Sequence, residues 1–175
     1  MASTGVQRAS RVPVHRKDKR NPFTSSAAGG RTLSALQLPF FLLRPPAGYG
    51  VLTTTGRRSG KPRRRCVRAI RDGGRVYLVA IKGPRTGWAR NAVANPEVTV
   101  RISGGTFRGR ARELGGAEDE LRAREAYCEA VHRFDYLTWM NWRKGRPTPA
   151  RIRGLLHTWF DDGVPFVVEL IREGR

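Results

Sequence analysis

A chain of 175 residues fits one domain with appended segments, and 39% hydrophobic residues suffice for a core. The net charge of +20 calls for an anionic companion: nucleic acid, anionic lipid, or a phosphorylated or carboxylated small molecule, with arginine-rich coding composition explaining part of the excess. Cys66 and Cys128, isolated and without a CxxC pair, argue against a zinc site or a disulfide framework. No apolar run approaches the roughly 18 residues of a membrane span, and the N-terminus has no apolar core followed by a cleavage site, so a reduced, cytoplasmic setting is expected.

Residues 1–30 read as a disordered basic tail, with Ser, Gly, Pro and the run HRKDKR in place of core formers. Residues 31–175 read as a single domain. It opens on a helix with Leu33, Leu36, Phe40 and Leu43 at helical spacing, ended by Pro45-Pro46. That helix either packs on the domain or rests on a membrane surface beside its arginines.

From Tyr49 the period changes to two. GVLTTT is a β-branched strand ending at Gly56, and CVRAIR alternates up to the turn Asp72-Gly73-Gly74. RVYLVAI follows as a nearly continuous apolar strand, which makes a hairpin. EVTVRIS puts Val98, Val100 and Ile102 on one face, and Gly104-Gly105 turns it into a strand with Phe107, Gly109 and Ala111 opposite Arg108, Arg110 and Arg112. Between the hairpins GWARNAVANP is a short helix stopped by Pro96. A longer helix is expected from Glu118 to His132, and another from Thr148-Pro149 to Phe160, with Thr148 as N-cap. VPFVVELI closes the chain as a strand. This order predicts an α+β fold whose antiparallel strands form a small barrel.

The stretch TGRRSGKPRRR concentrates the charge. Residues 57–75 hold nine Lys or Arg against one acid, Asp72. A nucleoside-triphosphate loop needs two glycines five apart, then Lys and a hydroxyl residue, opening a helix. Here Gly56 and Gly60 are one residue too close, Pro62 follows Lys61, and a strand comes next. Nucleic acid meets the electrostatic requirement, yet no aromatic lies between Tyr49 and Tyr77 for base stacking. The remaining reading is a small ligand with a phosphate, held by loop N–H groups, Ser59, Arg58 and Arg63, with the other arginines on solvated strand faces.

The run VLTTTGRRSGKPR, then DGGRVYLVAIKG, then GWARNAVANPEVTVRI resembles the deazaflavin-dependent nitroreductase family of actinobacteria, over residues 49–113 and more loosely to the end. The resemblance implies a split β-barrel of the FMN-binding-like kind that binds coenzyme F420 and passes hydride to a quinone, a nitro compound or a similar electron-poor acceptor. It implies that Arg57, Arg58, Ser59 and Arg63 cradle the cofactor phosphate, and that Val79, Ala80, Ile81 and Lys82 line the deazaflavin ring. Gly87, Trp88, Ala89, Arg90 and Asn91 complete the pocket, and Tyr136, with Tyr127 and Phe134 nearby, donates a proton or positions the acceptor. Ile81 departs from the family, which carries Ser there. Homodimers and peripheral membrane contact are compatible with it. Alternatives are an FMN, haem or lipid binder on the same fold, and a basic nucleic-acid-binding module. His15, His132 and His157 are scattered without acid or Cys partners and read as structural, so no metal site is expected.

Overall fold

Seven strands and five α-helices are found among residues 37–171, the part of the chain that the computed structural model describes. The basic tail and the first turn of the expected N-terminal helix, with Leu33 and Leu36, lie outside those residues. The strands are β1 (Tyr49–Thr55), β2 (Pro62–Arg68), β3 (Ile70–Asp72), β4 (Arg75–Ala80), β5 (Glu97–Ile102), β6 (Gly105–Glu113) and β7 (Val164–Leu170). The helices are α1 (37–43), α2 (Gly87–Ala94), α3 (Ala117–Glu129), α4 (Arg133–Trp142) and α5 (Pro149–Asp162). A 3₁₀ turn, Gly83–Arg85, links β4 to α2.

Every strand pairing is antiparallel, in the order β2-β1-β5-β6-β7-β4-β3. The two edge strands are consecutive in the chain, separated only by Ala69, so the sheet has to curl until its edges meet end to end. The result is a split β-barrel. CVRAIR, expected as one strand, is therefore two. Up to Arg68 it pairs with β1; Ala69 donates its N–H to the Gly48 carbonyl at 2.9 Å; from Ile70 it pairs with β4. No glycine, proline or turn residue marks the corner, so the break leaves no signal in the sequence.

Period-two patterning sorts the side chains into two cores. Leu52, Val76, Leu78, Val98, Val100, Ile102, Ala111, Phe166 and Val168 fill the barrel interior. Tyr77, Val79 and Val167 point the other way, onto α3, α4 and α5. Helix α2 plugs the barrel, since Trp88, Ala89 and Ala92 belong to the interior cluster. Helix α3 ends at Glu129, short of the expected His132. A helix that the sequence reading did not anticipate, α4, follows it. Thr148 caps α5 as expected, accepting from the Arg151 N–H at 3.3 Å. Phe41 of α1 packs edge-on against Tyr49 and Phe134, so α1 docks on the outer face of β1.

Candidate cofactor-binding site

The loop from Gly56 to Lys61 is tied into a knot of local hydrogen bonds. The Gly56 N–H reaches the Lys61 carbonyl at 2.9 Å, and the Ser59 and Gly60 N–H groups both reach the Gly56 carbonyl, at 3.1 and 2.7 Å. The Lys61 N–H reaches Ser59 Oγ at 3.4 Å. Gly60 has φ +64, a conformation that costs any residue with a Cβ about 1–2 kcal/mol. A Cβ on Gly56 would stand 2.7 Å from Ser59 Oγ.

Asn91 clamps this loop to α2. It is buried in α2, its Oδ1 accepts from the Arg57 N–H at 3.3 Å and from Arg57 Nη1 at 3.4 Å, and its Nδ2 donates to Thr54 Oγ1 at 3.2 Å. The N–H groups of Gly56, Arg57, Ser59, Gly60 and Lys61 are thus engaged within the protein. That amends the sequence reading, which gave them to a ligand. What the loop offers outward is side chains: Arg57, Arg58, Ser59 and Arg63 are all exposed.

Strand register separates the three arginines that end this segment. Arg63 lies opposite Thr54 and Arg65 opposite Leu52, so both share the face that points into the barrel, while Arg64 lies opposite Thr53 on the outer face. The sequence reading set Arg64 and Arg65 aside together. Arg65 belongs with Arg63, and the alternation of β2 was the clue.

At the other end of α2 the expected ring-lining segment divides. Ala80 turns into the barrel core, whereas Val79 and Ile81 face the helical layer. Lys82 is exposed at the head of the 3₁₀ turn. Trp88 is only 8% exposed, its ring edge-on to Phe166 at 5.2 Å, and Ala89 is buried beside it; Gly87 and Arg90 are exposed. Thr86, missed from sequence, precedes α2 with its Oγ1 buried and without a hydrogen-bond partner. Eight residues at about 1.5 Å each make α2 about 12 Å long, so it bridges the β4 end and the basic loop.

Tyr136 is placed by α4, and α4 is held by a buried polar cluster. Asp135 accepts from the Tyr49 hydroxyl at 2.7 Å and from the His132 N–H at 2.7 Å, and it faces Arg68 Nη2 at 3.4 Å. Arg68 also donates to the Ala130 carbonyl, and its guanidinium lies over the Tyr127 ring, 4.8 Å from the centroid. Thr138 Oγ1 meets the Tyr49 hydroxyl at 2.9 Å. Burial, and after it the Asp135 carboxylate, push Tyr49 well above the ordinary phenol range. Burial, then Arg68, lower His132. Tyr136 itself is partly buried, packed against the cluster that contains Val79 and has Ile81 at its edge. Of the other candidates, Tyr127 is fully buried, Phe134 packs on Phe41, and burial pushes Cys128 up to about 12. Among the described residues there is no cluster able to hold a metal ion, and no helix long and apolar enough to cross a membrane.

A family model described as F420H2-dependent quinone reductase matches residues 44–142, from the segment before β1 through α4. Among solved structures, an F420-H2 dependent reductase is 26% identical, covering 70% of this chain and 95% of that one, with a TM-score of 0.47. A putative 5-nitroimidazole antibiotic resistance protein from Bacteroides thetaiotaomicron is 13% identical over 78% of this chain and 80% of that one, with a TM-score of 0.49. A heme binding protein from Mycobacterium smegmatis is 18% identical over 70% of this chain and 46% of that one, with a TM-score of 0.47. Because the family match spans more than half the chain, and with it the basic loop, the end of β4, α2 and α4, the protein belongs to the F420H2-dependent quinone reductase family of oxidoreductases.

Proposed function

We propose that the protein binds reduced F420 between its basic loop and the end of β4 and uses it to reduce a quinone, with nitro compounds as secondary acceptors. The observation that carries this reading is the Asn91 clamp, which fixes an exposed arginine loop to the helix that leads from β4. The residues fit the cofactor. Arg57, Arg58, Ser59 and Arg63 present cationic and hydroxyl groups suited to a phosphate, with Arg65 next on the same face. Buried Thr86 Oγ1, without a partner, offers one polar contact between the loop and Lys82. On this reading the backbone around Val79, Ala80, Ile81 and Lys82, with that of Gly87, Trp88 and Ala89 and the exposed Arg90, makes the ring end of the site, the Trp88 and Ala89 side chains supporting it from the barrel core.

Reduced F420 supplies a hydride when bound. Quinone reduction to the quinol also takes up a proton, and we assign its supply, or the orientation of the acceptor oxygen, to the hydroxyl of Tyr136, whose side chain packs against the cluster that contains Val79. The arginines and Asn91 bind and orient; the barrel core behind Ala80 keeps water from that side. Exposed Phe40 and Leu43 beside Arg44 support a peripheral contact of α1 with a membrane surface, where a lipid-soluble acceptor would be met. The test is oxidation of F420H2 by the purified protein with a naphthoquinone or a nitroaromatic as acceptor. Turnover with the quinone is expected, with kcat/KM down about tenfold or more in Tyr136→Phe. No turnover with any quinone would reject the reading.

A further inference from the structure

Helix α5 lies wholly beyond residues 44–142, the part of the chain that the family model matches. Its apolar stripe comprises Ile152, Leu155, Leu156 and Phe160, none more than 5% exposed. At about 100° per residue Trp159 falls inside that stripe, between Ile152 and Leu155. Solvent nevertheless reaches Trp159, which is only partly buried while its stripe neighbours are closed off.

Trp159 stands in the last turn of α5, and that turn is seated on the end of β4. The Trp159 carbonyl accepts from the Gly163 N–H at 2.9 Å. A Cβ on Gly163 would come within 2.5 Å of that carbonyl, 2.7 Å of Val79 Cγ1 and 3.1 Å of the Ala80 carbonyl, so nothing separates the turn from the strand. Ile81 and Tyr136, also partly buried, pack against the same apolar cluster. Three apolar side chains, Ile81 just after β4, Tyr136 of α4 and Trp159 of α5, therefore border one cluster, each left incompletely covered.

We propose that Trp159 is an acceptor-specificity residue that, with Ile81 and Tyr136, forms an apolar wall for the flat ring system of a bicyclic quinone. The inference rests on the reading that the β4 end is the reaction site, and it adds what covers the exposed part of Trp159. An indole offers the widest aromatic face among side chains, and offset stacking of the usual strength converts to about threefold to tenfold in affinity. A single-ring quinone overlaps less of that face and depends on it less.

The experiment is a tryptophan-fluorescence titration of the full chain, without cofactor, using a naphthoquinone and a benzoquinone. Saturable quenching by the naphthoquinone is expected. In Trp159→Leu its affinity should fall threefold to tenfold, Trp159→Phe should recover most of the loss, and benzoquinone binding should change less. Equal naphthoquinone affinity in parent and Trp159→Leu, or quenching that never saturates, overturns the proposal. A parallel F420 titration separates the two claims. Trp159→Leu should bind F420 like the parent, and a parent that binds naphthoquinone through Trp159 but not F420 would reject the cofactor reading while upholding the wall. With F420H2 present, the wall predicts a raised naphthoquinone KM with kcat largely kept.

Discussion

At the scale of single residues, Asn91 has the most consequential role outside the arginines. It uses its amide oxygen on Arg57 and its amide nitrogen on Thr54, so one side chain sets both the loop and the end of β1. Asn91→Ala should release the loop without opening the barrel, because Ala89 and Ala92 still plug it. F420 affinity is expected to fall about tenfold, while the loss of two or three hydrogen bonds costs about 1–3 kcal/mol of stability. Fluorescence titration and urea denaturation measure the two effects separately. This role was only half legible in sequence. The resemblance named Asn91 for the pocket, but its clamp on Arg57 requires knowing that α2 lies against β1. Trp88, named with it, sits in the barrel core, its ring turned to Phe166. The two-residue period of β2 by itself puts Arg65 on the face of Arg63.

At the scale of elements, the docking of α4 depends on polar groups, which is why no sequence pattern announced it. Its apolar residues are scattered around the helix: Leu137 and Met140 are 50% and 55% exposed, Trp139 is buried in the helical layer, and Asp135 and Thr138 make the inward polar contacts. A continuous hydrophobic stripe is absent, because here the buried face mixes the Trp139 indole with a carboxylate and a hydroxyl. The hairpins and the capped α5, by contrast, follow local rules of alternation, turn glycines and N-caps, and they were readable. Asp135→Asn would leave buried Arg68 without its counter-charge, and breaking such a pair costs about 3–5 kcal/mol. The expected result is a large drop in the denaturation midpoint together with a loss of quinone turnover greater than the loss of F420 affinity.

His132 adds a pH dependence to the same element. Its folded-state value is lowered, so the folded protein resists protonation there. Stability from this source is complete above the ordinary imidazole value of about 6.5 and declines as the pH falls through it towards the lowered one. Urea midpoints measured at about pH 7.5 and about pH 5.5 should therefore differ, and His132→Gln should shrink the difference.

At the scale of the whole molecule, the charge of +20 is unevenly neutralised. Asp119 binds Arg75 and Arg112 at 3.2 and 2.8 Å, and Glu169 adds to Arg112 at 3.1 Å, so the α3 side of the sheet is paired. Among the described residues no acid forms an ion pair with the arginines of 57–65. The field of the loop is thus left for a ligand, and its binding should be steep in salt. Affinity for F420 should weaken about tenfold or more between about 0.01 M and about 1 M ionic strength, over which the screening length falls from about 30 to about 3 Å. The most direct test of the account is a fluorescence titration of the full chain with F420 and with FMN at low salt, repeated for Arg58→Ala and Arg63→Ala. Micromolar F420 binding, much weaker FMN binding, and loss of F420 affinity in both variants are predicted. F420 affinity that is absent, or unchanged in both variants, would contradict it.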